Sequence, residues 1–229
     1  LPDPSGAVTP MAQRDVLSAI RSSQPFGRWN SPWAAGLLLF LVYVATAVGT
    51  VLFVQRAVDP SLRVMSIAAP WLAVGVGVAG VLLGGARLWP ALFIGSWLVW
   101  GVVVGDAPIS VTVDAVAEAG SIVLIVHLLR VWGFHRSFDR FRDPLVLLVA
   151  AAVGRILAVL LDWVGAFASA WLMPESFSLI YRPMLTDENG AFPALTPEVL
   201  SASIRWSLNS IAGIMLVVPL ASATLAGLQ

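Results

Sequence analysis

Five ionisable residues stand inside stretches that are otherwise apolar: Asp114, Glu118, Arg155, Asp162 and Arg205, with Asn209 beside the last. A charged group in such a setting is costly. Where it occurs in a membrane segment it pairs, binds a ligand or ion, or relays protons. Asp114 and Glu118 are four apart and share a helix face. Arg155 and Asp162 are seven apart, two turns on one face. Arg205, Asn209 and Gly213 repeat at intervals of four and read as a stripe. If the three stripes face inward they form one polar cluster of three acids and two arginines. Two pairings are open: Arg155 with Asp162 as a tie between helices, and Glu118 with Arg205 as a binding or sensing pair.

Other chemistry is poorly represented. There is no Cys, which removes disulfides, thiolate nucleophiles and iron–sulfur clusters. The two histidines are His127 and His135. His127 is half a helical rotation from Glu118, so it reads as an interfacial packing residue, not a metal ligand. No HExxH, GxSxG or phosphate-loop signature occurs. The expectation is no catalytic residue, no metal and no cofactor.

The elements that position these groups follow from composition. Of 229 residues, 59% are hydrophobic and 11% charged, and the mean hydropathy is +0.88. A soluble domain carries about 25% charged residues. The 13 basic residues are all Arg, they balance 13 acids, and they form no stripe for nucleic acid. Six apolar runs divide the chain: 32–54, 64–83, 88–104, 109–131, 144–173 and 197–228. Each is long enough to cross a hydrocarbon core of about 30 Å. Backbone groups in lipid must bond within their own segment, so the runs are helices. The expected fold is all-α: a polytopic transmembrane bundle of about six helices.

Local signals mark the ends. Asp143-Pro144 and Thr196-Pro197-Glu198 read as helix starts. Trp33, Trp89, Trp132 and Trp171 lie near run ends, where interfacial aromatics belong. With the N-terminus inside, the inner segments hold Arg14, Arg21, Arg28, Arg87, Arg130, Arg136, Arg140 and Arg142, and the outer ones Arg56, Arg63 and Arg182. That bias places both termini in the cytoplasm. Residues 1–30 read as a cytoplasmic segment, 31–229 as the membrane domain, and 174–196 as an outer loop able to pack as a lid. The rise per residue puts Asp114 and Glu118 about 8 and about 14 Å in from the outer side, and Arg205 and Asn209 about 12 and about 18 Å. Arg155 falls near the midplane and Asp162 about 27 Å up its helix. The cluster is therefore expected in the outer half. Gln229 stops inside an apolar helical pattern, as in a chain whose last helix continues.

Two stretches carry a family resemblance. One is Gly85-Ala86-Arg87-Leu88-Trp89-Pro90-Ala91-Leu92-Phe93-Ile94-Gly95, followed by Ala117-Glu118 and Leu128-Leu129-Arg130. The other runs from Trp206 to Pro219 and ends Gly213-Ile214-Met215-Leu216-Val217-Val218-Pro219. With Phe138-Asp139-Arg140 they resemble the first type of the MASE family of bacterial membrane-associated sensor domains. The family's last helix usually reads Trp-Trp, any residue, Gly-Asp, two residues, Gly; here Trp206 opens the matching run and the family's Asp falls on Ser210. The resemblance implies a non-enzymatic sensory domain of the bacterial inner membrane. It implies a homodimer with a cytoplasmic output domain beyond Gln229, a diguanylate cyclase or a histidine kinase. The sensing candidates are then Asp114, Glu118, Arg155, Asp162, Arg205, Trp206 and Asn209. The expected partners are the lipid bilayer, a second copy, the output domain and a small-molecule or protein stimulus. The alternative is a six-helix substrate-binding component of a membrane transporter.

Overall fold

A computed structural model describes residues 31–57, 71–104, 108–135, 138, 140–172, 186 and 196–226. The predicted segment 1–30, and nearly all of the predicted outer loop, lie outside them. Every regular element among the described residues is helical. The helices are α1 (Pro32–Ala57), α2 (Leu72–Gly84), α3 (Trp89–Leu98), α4 (Pro108–Val131), α5 (Arg142–Leu172) and α6 (Pro197–Ala226). A 3₁₀ turn, Ala86–Leu88, joins α2 to α3, and α3 runs on into a π-helical stretch, Val99–Val104. The six apolar runs thus become six helices.

Four of them, α1, α4, α5 and α6, are long and apolar enough to cross a membrane. That is the pattern of a multi-pass membrane protein. Helix α2 is shorter, ending after Gly84. At the usual rise per residue it extends only about 20 Å, less than a hydrocarbon core.

Residue size explains the arrangement. The sequence of α2, Leu-Ala-Val-Gly-Val-Gly-Val-Ala-Gly-Val-Leu-Leu-Gly, is nearly all small or β-branched. Small residues let neighbouring backbones approach, and α2 is the central helix, packed on α1, α4 and α6. Its residues Ala73, Val74, Gly75, Gly77, Val78, Ala79, Val81 and Leu82 are buried. Gly75 and Gly213 meet where α2 crosses α6, with the carbonyl of Gly213 directly above Gly75 and that of Trp71 directly above Gly213. Gly154 of α5 lies under Ile125 of α4, and Gly165 under Val113, so α4 and α5 run antiparallel in close contact. The outward faces are apolar instead: Leu145, Val149, Ile156, Leu160 and Val164 of α5 are all exposed. A soluble monomer rarely shows so large an apolar face, whereas lipid demands one.

The two expected helix starts differ. Thr196 caps α6 as its sequence suggests, its Oγ1 accepting the Val199 N–H at 3.3 Å. Asp143 does not cap α5. The helix begins at Arg142, and the Asp143 carboxylate turns back to accept the N–H of His135 at 3.2 Å. The reason is the preceding loop, which reverses through positive φ at Gly133 (66°) and Phe138 (53°) and so presents its own backbone donor to the carboxylate.

Candidate functional site

The polar centre forms around one carboxylate. Glu118 stands in the middle of α4, between Pro108 and Val131. The helical rise puts it about 15 Å from one end and about 20 Å from the other, nearer mid-span than either surface. Facing it across the α4–α5 contact is Arg155, whose Nη1 donates to Glu118 Oε2 at 2.7 Å. The two side chains are 7% and 1% exposed, so the pair is withdrawn from water. Arg155 Nη1 also reaches Ser121 Oγ, one turn from Glu118, at 3.5 Å. Gly154 makes this possible, because a larger residue beside Arg155 would collide with Ile125 and hold the helices apart.

Two further segments converge on the same carboxylate. Tyr43 of α1 donates its hydroxyl to Glu118 Oε1 at 3.3 Å, and Trp71, just before α2, donates its indole N–H to the same oxygen at 3.3 Å. Both side chains are 1% exposed. Glu118 therefore accepts from a guanidinium, a phenol and an indole carried by three different segments. Buried ionised groups persist only with such compensation. The opposite edge of the guanidinium is different: Arg155 Nε and Nη2 are buried and have no hydrogen-bond partner among the described residues.

Trp71 connects this centre to α6. Its ring lies against Trp206 at 5.0 Å between centroids and against Trp100 at 5.9 Å, and Trp100 and Trp206 are 5.5 Å apart. Its backbone N–H donates to the carbonyl of Asn209 at 3.0 Å. Trp100 comes from the π-helical stretch, a helix form often found at functional sites.

The predicted site residues separate into three groups. Glu118, Arg155, Trp206 and Asn209 belong to this centre or to the indole that joins it. Arg205 does not. It is exposed, and it bonds back to Ser201, with Nε to the carbonyl at 3.3 Å and Nη2 to the hydroxyl at 2.8 Å. The stripe argument misplaced it because steps of four residues advance about 40° around a helix. Gly213 faces α2, so Arg205, two steps back, has turned about 80° away. Trp206, seven residues from Gly213, stays within about 20° of it and faces inward. The expected pairing of Glu118 with Arg205 is thus replaced by Glu118 with Arg155, and Arg155 is not given to Asp162.

Asp114 and Asp162 are half-buried. Val113 packs on Gly165, so Asp114 and Asp162 both lie within one turn of that α4–α5 contact, with Asp162 between it and the level of Glu118. Ser110 Oγ donates to Asp114 Oδ2 at 3.4 Å.

Sequence reasoning missed Tyr43, Trp71, Trp100 and Ser121. Tyr43 left a signal: it is one of two tyrosines in the chain, placed mid-run among aliphatic residues, and a buried phenol seeks a partner. No three His, Asp or Glu side chains among the described residues come together as metal ligands. Comparison with protein-family models, with curated proteins and with solved structures gives no match.

Proposed function

We propose that the chain is the membrane-embedded sensory part of a bacterial receptor, resembling the first MASE type, with six crossings and both termini cytoplasmic. A stimulus that perturbs the Glu118–Arg155 centre moves α6, and α6 carries the change to a cytoplasmic output enzyme beyond Gln229. A diguanylate cyclase is the first choice for that output and a histidine kinase the second, in a homodimer of the inner membrane.

The observation that supports this reading is the double role of Trp71. Its indole N–H holds Glu118, while its ring and backbone N–H hold Trp206 and Asn209 of α6. A change in the charge or position of Glu118 is felt first by Trp71 and next by α6. A purely structural ion pair needs no such link to the last helix.

The test has two parts. The natural coding sequence past Gln229 is read, and a cyclase or kinase domain is expected there. In that full-length protein, Trp71→Phe keeps an aromatic ring and removes the indole donor, and it is expected to change output while membrane insertion stays at the wild-type level. A coding sequence that ends within a few residues overturns the receptor reading and favours a substrate-binding transport subunit, to be pursued by ligand extraction.

A further inference from the structure

One end of the bundle is set apart by charge. The crossing contacts bring together there the start of α1, the end of α2, the start of α3, the end of α4 and the start of α5: Gly36 lies against Leu88, and Arg130 Nη2 donates to the carbonyl of Val81 at 3.4 Å. Four arginines are exposed at this end, Arg87, Arg130, Arg140 and Arg142. The acid described among them, Asp143, is fully buried and turned to the backbone of His135. At the opposite end the described exposed cation is Arg205.

Aromatic side chains ring the same level. Trp33 is 86% exposed, Trp89 49%, Trp132 38% and Phe141 98%. Phe141 stands outside the fold between two arginines, with nothing among the described residues over it. Such rings settle at the boundary between headgroups and acyl chains. Two of the guanidiniums are held in place: Arg130 by the Val81 carbonyl, and Arg142, whose Nη2 donates to the Gly133 carbonyl at 3.2 Å. A guanidinium has five donors in a planar fork that matches phosphate, so one bond to a carbonyl orients it and leaves donors for a ligand.

We infer that this end is a docking face for anionic phospholipid headgroups, with the arginines binding lipid phosphates and Phe141 and Trp132 seated beside them at the acyl boundary. The ring of exposed aromatics selects a lipid over a soluble phosphate, which would need none of them. This inference rests on the membrane-spanning reading alone and is independent of the receptor proposal.

The test uses the whole chain in lipid discs holding equal amounts of phosphatidylglycerol and phosphatidylcholine, with retained lipids counted by native mass spectrometry. Wild-type protein is expected to retain the anionic lipid preferentially. Near a membrane each arginine contributes about a fivefold preference, so R87Q and R130Q each lower the ratio by about that factor and the double variant lowers it further. Arg205→Gln leaves it unchanged. Arg140→Gln, whose side chain holds no described backbone carbonyl, guards against loss of folding and is expected to lower the ratio as well. Phe141→Ser reduces retention of both lipids. Equal retention by the wild type overturns the inference, as does an unchanged ratio in Arg140→Gln together with R87Q/R130Q. Displacement of the lipid preference by inorganic phosphate assigns the face to a soluble anion and overturns it too.

Discussion

Glu118 and Arg155 depend on each other more than on their surroundings. Breaking a buried pair by removing one partner costs about 3–5 kcal/mol, because a buried charge is left alone, whereas replacing both with apolar residues is often neutral. Glu118→Gln is therefore expected to lower stability by roughly 3 kcal/mol, and Arg155→Met by a similar amount. The double replacement Glu118→Leu/Arg155→Met should recover most of the loss. Unfolding of the detergent-solubilised variants measures this, and a double variant as unstable as the sum of the singles would contradict it. Tyr43→Phe removes one long hydrogen bond and should cost about 1 kcal/mol. The two charged members were legible in the sequence, since an ion in an apolar run announces itself. Their pairing was not. It depends on which residues of α4 and α5 stand at the same height, and Gly154 and Gly165 set that register. Tyr43 and Trp71 were hidden because aromatic residues in a membrane run have many roles besides donating to a carboxylate.

The helices themselves were easier to read than their contacts. Length and apolarity gave all six runs, because backbone bonding in lipid leaves few alternatives. The crossings depend on single glycines whose importance no spacing revealed. Gly80 and Gly84 form a small-residue repeat, yet their neighbours are the side chains of Leu39 and Leu88, which can shift. Gly213 sits instead against backbone, and a Cβ there would lie 2.7 Å from the carbonyl carbon of Trp71. Gly213→Ala must push α2 from α6 and break the Trp71 N–H bond to Asn209, a loss of roughly 1–3 kcal/mol. Gly120 has open space around it. Gly120→Ala improves helix propensity there, so it should be neutral or stabilising by up to about 1 kcal/mol. Thermal unfolding of the two variants side by side measures the difference, and equal melting temperatures would refute the backbone contact between α2 and α6. The start of α5 shows the same limit: Asp143-Pro144 has the composition of a cap, but the positive φ at Gly133 and Phe138 redirects the carboxylate to the loop.

At the scale of the molecule, three features agree on one axis. The outer faces of the long helices are apolar, the charged centre is near mid-span, and exposed arginines gather at one end. A bundle of this kind has two chemically distinct ends separated by an apolar belt. Helix α5, from Arg142 to Leu172, is the longest of the four helices able to cross that belt. Its rise is about 46 Å, well beyond the thickness of a hydrocarbon core. Phe141 just before its start and Trp171 near its finish are both exposed, so each marks one end of α5 at the membrane boundary, within reach of a reagent on that side. These 229 residues hold no Cys, so a thiol introduced among them is the sole target within this part of the protein. Phe141→Cys and Trp171→Cys are expected to react from opposite sides with a maleimide that does not cross the membrane. The positive-inside rule adds an expected direction: with the arginine-rich end on the cytoplasmic side, as proposed, Trp171→Cys should be labelled in intact cells and Phe141→Cys protected until the membrane is opened. Labelling of both from outside would mean that α5 does not cross. Labelling of Phe141→Cys alone would keep the crossing and invert it, placing the arginines, the end of α6 and any output domain on the outer side, where no cyclase or kinase could reach its nucleotide.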